Sequence, residues 1–279
     1  MNNARISRSV PLVMKLFTVL VVIACATAGL ARQTANDVHG SGNASGRASA
    51  VPILVELFTS EGCSSCPPAD ELLQRMDTAQ PITGTQIIVL SEHVDYWNHD
   101  GWKDPYSSSL LTERQAAYVG ALGLKTPYTP QFIVDGMSEL QGSSAERLQT
   151  LEKAAALPHV AVQISSLNIE GKTPAVLNAR VEAGEAPEKH NADIYVVVAL
   201  DHAESQVLRG ENSGKHLVHV AVVEEFKKIG KLDKTKPFSQ DFQVKLKPGV
   251  DPSNVRLIAF AQEAGPGRVL GAVLKKVQN

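Results

Sequence analysis

Cysteine is scarce in this 279-residue chain, with only Cys25, Cys63 and Cys66 present. So small a number excludes a disulfide-stapled framework, which needs several bridges closing long loops. Positive charge is also in short supply, with 27 Lys and Arg against 29 Asp and Glu. That balance leaves no electrostatic case for nucleic acid. The apolar run from Leu16 to Ala24 is too short to cross a bilayer, because about 30 Å of hydrocarbon calls for a helix of about 20 residues. A phosphate-binding Gly-Lys motif, a His-Glu-x-x-His pair and a nucleophile elbow are all missing, which removes the motif case for the chemistries they carry.

What is present begins with the flanks of that apolar run. Arg5, Arg8 and Lys15 precede its core, and small residues including Ala26-Thr27-Ala28 follow it. A basic flank, a short apolar core and a small-residue exit are the three parts of a secretory signal. Residues 1–28 are therefore expected to be an export signal, and the protein to be periplasmic or secreted. Val22-Ile23-Ala24-Cys25 also resembles a bacterial lipobox, and only in that version, with Cys25 lipidated, is the protein expected at a membrane. Loss of residues 1–28 removes three positive charges and no negative ones, taking the net charge from −2 to about −5. Residues 29–50 are small and polar and read as a flexible leader.

From Val51 onward, strand and helix signals alternate. Ile53 to Phe58 reads as a strand, Pro67 to Met76 as a helix and Gln86 to Val94 as a second buried strand. A polar aromatic loop, Asp95 to Tyr106, leads to a helix over Ser109 to Leu122 with Gly123 as its cap. Gln131 to Val134 and Ser138 to Gln141 form a hairpin about Asp135-Gly136, and Ser144 to Ala156 is a helix capped by Ser143 or Ser144. After Pro158 the helical signals stop. Strand-like runs follow at Val160 to Ile169, Ala175 to Val181, Ile194 to Leu200, Leu217 to Val223, Phe242 to Leu246, Val255 to Ala261 and Val269 to Val277. Ile194 to Leu200 is apolar on both faces and reads as a central strand. The expected fold is an α/β domain over 51–157 followed by an all-β sandwich-like domain over 158–279.

Cys63-Ser64-Ser65-Cys66 lies where the first strand enters the first helix. Two thiols at this spacing can close a reversible disulfide across one helical turn. Unpaired N–H groups at the helix start and the helix dipole would favour a Cys63 thiolate, and Pro67 and Pro68 suit the first turn. Cys63 is then the attacking thiol, the more exposed of the two, and Cys66 the resolving one; the bland alternative is an inert disulfide. The loop His93 to Trp102 holds both tryptophans of the chain at the same carboxyl edge of the sheet, so Asp95 and Trp97 are candidate substrate contacts. Equally open is a role for these aromatics in capping the core.

Strand, Cys-x-x-Cys at a helix start, then Tyr128-Thr129-Pro130 before a strand, resembles the thioredoxin-like superfamily. More narrowly, Val55-Glu56-Leu57-Phe58-Thr59-Ser60-Glu61-Gly62-Cys63-Ser64-Ser65-Cys66-Pro67-Pro68-Ala69-Asp70 and His93-Val94-Asp95-Tyr96-Trp97 resemble an exported bacterial family, domain of unknown function 1223. The resemblance implies a thioredoxin-like fold for the first domain and a cis Pro130, whose neighbour Thr129 would pair its backbone with an extended substrate chain. It also implies that Glu56 is the buried acid that takes the resolving thiol's proton, although Glu56 could instead point to solvent or to a structural partner. It carries no established reaction.

These readings converge on an exported thiol-disulfide oxidoreductase, with Cys63, Cys66 and Glu56 as its chemistry and Thr129, Pro130, Asp95 and Trp97 as its substrate contacts. Its partners would be thiol or disulfide clients, and no cofactor is called for. The rival is a non-enzymatic module in which the disulfide is structural, or in which Cys63 and Cys66 hold Cu(I) or Zn with His93 or His99. His216 and His219 add nothing to such a site, since residues three apart on a strand face opposite sides.

Overall fold

The computed structural model describes residues 50–171, 174–185 and 191–277. The expected signal, the lipobox cysteine Cys25 and residues 29–49 of the leader lie outside the described residues. The chain runs first through two parallel strands, β1 (Val51–Thr59) and β2 (Thr85–His93), with Val51 opposite Thr85 and Thr59 opposite His93. Apolar runs at Ile53–Val55 and Ile87–Leu90 form their middles, as expected of strands covered on both faces. The connecting helix α1 (Pro67–Ala79) starts with two prolines and ends at Gln80 in the left-handed region. It packs Ala69, Leu73 and Met76 onto Ile53, Val55 and Leu57 of β1.

Helix α2 (Ser109–Ala121), capped by the Ser108 side chain, covers the other face of the sheet through Leu111 and Tyr118. Strand β3 (Gln131–Val134) runs antiparallel to β1 and turns into β4 (Ser138–Glu139). Asp135 and Gly136 take φ of 45° and 68°, the two positive values that a two-residue hairpin turn requires. Helix α3 (Ser144–Ala155) opens on a full capping box between Ser143 and Glu146. Local elements thus lie close to where the residue pattern places them.

The expected fold class is overturned. Strands β7 (Ala192–Gln206), β8 (His216–Leu232), β10 (Val255–Glu263) and β11 (Val269–Lys276) do not form a separate sandwich. They join the first four strands in one mixed eight-stranded sheet of order β11-β10-β7-β8-β2-β1-β3-β4. The described residues hold three helices, so the architecture is mainly β and not a thioredoxin-like α/β domain with an all-β domain behind it. Strands β5 (Val162–Glu170), β6 (Val176–Ala183) and β9 (Phe238–Lys245) make a small antiparallel sheet. Its core is completed by Ile194, Val196, Leu257 and Ala259 of the large sheet.

Two features fuse the halves. Strand β8 meets β2 in parallel, with Val222 opposite Ser91, and one apolar cluster mixes Leu54, Ile88 and Leu90 with Val197, Ile258 and Phe260. Strand β8 is also longer than its apolar run suggests and carries Lys227, Lys228 and Lys231 within it. Lys228 pairs with Asp193 and Lys227 with Glu225.

A buried ion cluster adds a polar tie. Arg256 of β10 is 1% exposed and donates to both oxygens of Asp77 on α1, at 2.9 and 3.0 Å, and to Asp201 on β7. Removing one member of a buried ion group leaves the others uncompensated, typically at 3–5 kcal/mol. Asp77 and Asp201 keep some solvent contact, so Arg256→Met is expected to cost about 3 kcal/mol, at the low end of that range. Urea unfolding measures this, and a loss below about 1 kcal/mol, the worth of a surface pair, would remove Arg256 from the account.

Candidate functional site

Strand β1 delivers the chain into a tight loop, Ser60 to Ser65, ahead of α1. Cys63 and Cys66 are disulfide-bonded there, with Cα atoms 5.4 Å apart. Both cysteines are fully buried while Ser64 and Ser65 between them are exposed, so Cys63 is not the more exposed thiol that the motif suggests. Gly62 is needed for packing: a Cβ there would lie 2.9 Å from the Trp97 Cβ. Trp97 is therefore seated against the residue preceding Cys63. Its indole N–H donates to the Thr129 hydroxyl at 2.8 Å, and the Thr129–Pro130 peptide is cis. Trp97 thus links the cysteine loop to Thr129, the residue before Pro130. Asp95 turns elsewhere, accepting from the Thr112 hydroxyl of α2 at 2.6 Å.

The helix start differs from expectation in one respect. Of the first four residues of α1, Pro67 and Pro68 have no N–H. The N–H groups of Ala69 and Asp70 both donate to the Cys66 carbonyl, at 2.8 and 3.1 Å. No N–H of the first turn is left for a Cys63 thiolate.

Glu56 is buried, as its place in β1 suggests, but its carboxylate is already engaged. Strand alternation sends it to the α2 face, opposite Val55 and Leu57, which pack toward α1. There Arg114 Nε donates to its Oε1 at 2.7 Å and the Tyr118 hydroxyl to its Oε2 at 2.6 Å. Gln262 of β10 in turn donates to Tyr118. Glu92 lies in the same cluster with neither oxygen hydrogen-bonded, 3.6 Å from Arg114 Nε. Burial and the adjacent Glu56 carboxylate hold Glu92 well above the usual range, against the pull of Arg114. One guanidinium serves two carboxylates here, and it also faces the rings of Phe226 and Tyr118 at 4.5 and 4.9 Å.

Another set of buried polar groups lies around the cysteine loop, and the sequence did not single it out. Asp70 accepts from the Thr59 hydroxyl at 2.9 Å, and Glu61 accepts from the Trp102 indole at 2.7 Å. Between them sits His219 of β8, with Nε2 3.4 Å from Glu61 and Nδ1 3.8 Å from Asp70. Burial alone would lower the imidazole, but the two carboxylates outweigh it and push it up to about 9. Its stabilising contribution is therefore full below about 6.5, the ordinary histidine value, and is lost as pH rises through about 9. The His219 ring packs edge-on against His93 at 4.7 Å, and His93 Nδ1 pairs with Asp104 at 2.7 Å. Burial would raise Asp104, yet His93 and the N–H groups of Glu61 and Tyr106 hold it below its usual range.

The second half of the chain caps this loop. From the tip of the β7–β8 hairpin, Asn212 donates to the carbonyls of Glu61 and Cys63 at 2.8 and 2.9 Å, and Glu211 accepts from the Ser64 N–H. His216 and His219 do face opposite ways: His216 is exposed beside Glu204, while His219 is buried. Of the residues offered as extra metal ligands, His93 is paired with Asp104 and His99 lies on the surface near Asp100. A groove of about 390 Å³ between α1 and β8 reaches Asp70 and His219 from outside.

Residues 54–262 match the sequence profile of a family described as protein of unknown function, DUF1223. Among solved structures, the chain is similar to a protein from Agrobacterium tumefaciens, with 27% identity and a TM-score of 0.61 over 82% of this chain and 98% of that one. HBP35 of Porphyromonas gingivalis shares the fold at 16% identity, with a TM-score of 0.59 over 81% of this chain and 75% of that one. No curated protein matches the chain.

Two outcomes follow from this geometry. Glu92 binds its proton more tightly when folded, so the native state loses stability as pH rises from about 4.3, the unfolded value, toward the raised one. Glu92→Gln is expected to gain on the wild type in urea unfolding at pH 8 relative to pH 4; an equal difference at both pH values would show that Glu92 is not held protonated. Asn212→Ala removes the cap from the loop and should speed reduction of the disulfide by a phosphine severalfold with circular dichroism unchanged. An unaltered rate would mean that the hairpin does not shield the sulfurs.

Proposed function

We propose that this chain, which belongs to the DUF1223 family of proteins of unknown function, carries out thiol-disulfide exchange at Cys63 and Cys66 on protein clients or small thiols in an exported, oxidising setting. The observation that carries the reading is the Cys63–Cys66 bond in a strand-to-helix loop on which Trp97 packs, with Trp97 in turn bonded to Thr129. A client strand laid along Thr129 and Pro130 would bring its own sulfur to the loop.

In the exchange, the Cys63 thiolate attacks one sulfur of a client disulfide, and the other client sulfur leaves as a thiolate. Cys66 then gives up its proton and attacks Cys63 Sγ, which closes the Cys63–Cys66 bond and breaks the mixed disulfide. Two electrons and two protons pass to the client, and the reverse sequence oxidises a client dithiol. Because both sulfurs are buried, the loop must open at the exposed Ser64-Ser65 for either direction to run. The same burial favours a second reading, in which the bond is a structural bridge that pins the loop to α1.

Trapping separates the two. Cys66→Ala leaves Cys63 able to form a mixed disulfide but not to resolve it, so client proteins should accumulate covalently on Cys63 and be released by reductant. No adducts under oxidising export conditions, from a folded variant, would leave the structural bridge as the reading.

A further inference from the structure

The exchange chemistry leaves open which way electrons run, and the surroundings of the cysteines bear on it. A dithiol is a strong oxidant when its thiolate is stabilised, because that stabilises the reduced form. The usual sources of such stabilisation are unpaired helix N–H groups and adjacent cations.

The first is missing at this helix start, and the nearby cations are engaged elsewhere, His219 between two carboxylates and Lys215 on the Asn212 side chain. The first turn of α1 has two prolines, and its remaining N–H groups are spent on the Cys66 carbonyl. Asp70 stands one helical turn after Cys66, the spacing at which two side chains share a helix face. Behind it lie Glu61 and His219, so the group carries a net charge of about −1 with His219 protonated and about −2 without. The other ionisable groups facing His219 are His93 with its partner Asp104, and Tyr106. On the hairpin tip the Glu211 carboxylate meets the Ser64 N–H, while Lys215 is held by the Asn212 side chain. The two groove residues next to Asp70, Glu71 and Arg75, neutralise each other.

Resting on the exchange reading, we infer that the Glu61–Asp70–His219 group sets the polarity of the pair. It disfavours a thiolate at Cys66 and favours the disulfide, so the reduced protein is an electron donor to client disulfides. In that reaction the Cys63–Cys66 bond forms and the client S–S bond breaks, and two electrons and two protons move from the pair to the client. A dithiol donor of still lower potential must then reduce the pair again. Asp70 and Glu61 are positioning residues, since they act through the field at the sulfur. The groove beside Asp70 gives the Cys66 proton a route to solvent.

The experiment is a thiol titration of the reduced full chain by thiolate absorbance, with its equilibrium against reduced and oxidised glutathione, repeated for Asp70→Asn and Glu61→Gln. Both variants keep an acceptor for Thr59 or Trp102, so either can stand in if the other fails to fold. The wild type is expected to titrate above the ordinary thiol value of about 8.5 and to stay disulfide-bonded in equimolar glutathione and its disulfide. Each variant should raise the thiolate fraction at a given pH about tenfold, equivalent to one pKa unit, and shift the equilibrium at pH 9 toward the dithiol. A wild-type thiol that titrates below the ordinary value, or variants that move neither readout, would overturn the inference. The trapping result is read independently: adducts on Cys63 together with unmoved titrations would keep the exchange and discard the polarity.

Discussion

Two hydrogen bonds from one side chain hold the arrangement together. Asn212, fully buried at the tip of the β7–β8 hairpin, donates to the carbonyls of Glu61 and Cys63. Those carbonyls belong to a turn between strand and helix, where the Cys66 N–H reaches the Cys63 carbonyl at 3.2 Å and Asn212 supplies a donor to each. The hairpin that supplies Asn212 also brings His219 between Glu61 and Asp70. Cysteine loop, acid pair and cap are thus parts of one object, and the eight-stranded sheet keeps them in register.

The molecule keeps two groups of buried charge on opposite faces of β1, and they answer different needs. On the α2 face, Glu56, Glu92, Arg114 and Tyr118 bind helix to sheet around a guanidinium enclosed by aromatic rings. With its carboxylate held by two donors, Glu56 is a fixed strut. On the α1 face the carboxylates of Asp70 and Glu61 flank an imidazole at ion-pair distances, with neither ring nitrogen in a hydrogen bond.

Local chemistry was legible in the sequence because it is local. Prolines at a helix start, Asp135-Gly136 in a hairpin and Ser143 with Glu146 as a capping box each act within a few residues. The fold class was not legible, since it turns on whether β8 pairs with β2 across more than a hundred residues, and apolar runs carry no record of their partners. Glu56 shows the same limit at the scale of a side chain: its burial could be read from β1, but Arg114 could not be foreseen as its partner. His219 is expected from its spacing to face away from His216. It does face away, and that direction takes it into the interior beneath the cysteine loop.

The central claim is that Cys63 and Cys66 cycle between dithiol and disulfide in the living cell. Quenching cells in acid, alkylating free thiols with a mass tag and resolving the native protein by gel measures this directly. The account predicts a distinct dithiol fraction at steady state that becomes disulfide when cellular thiol donors are depleted. A protein that is wholly disulfide-bonded in every growth condition would contradict it.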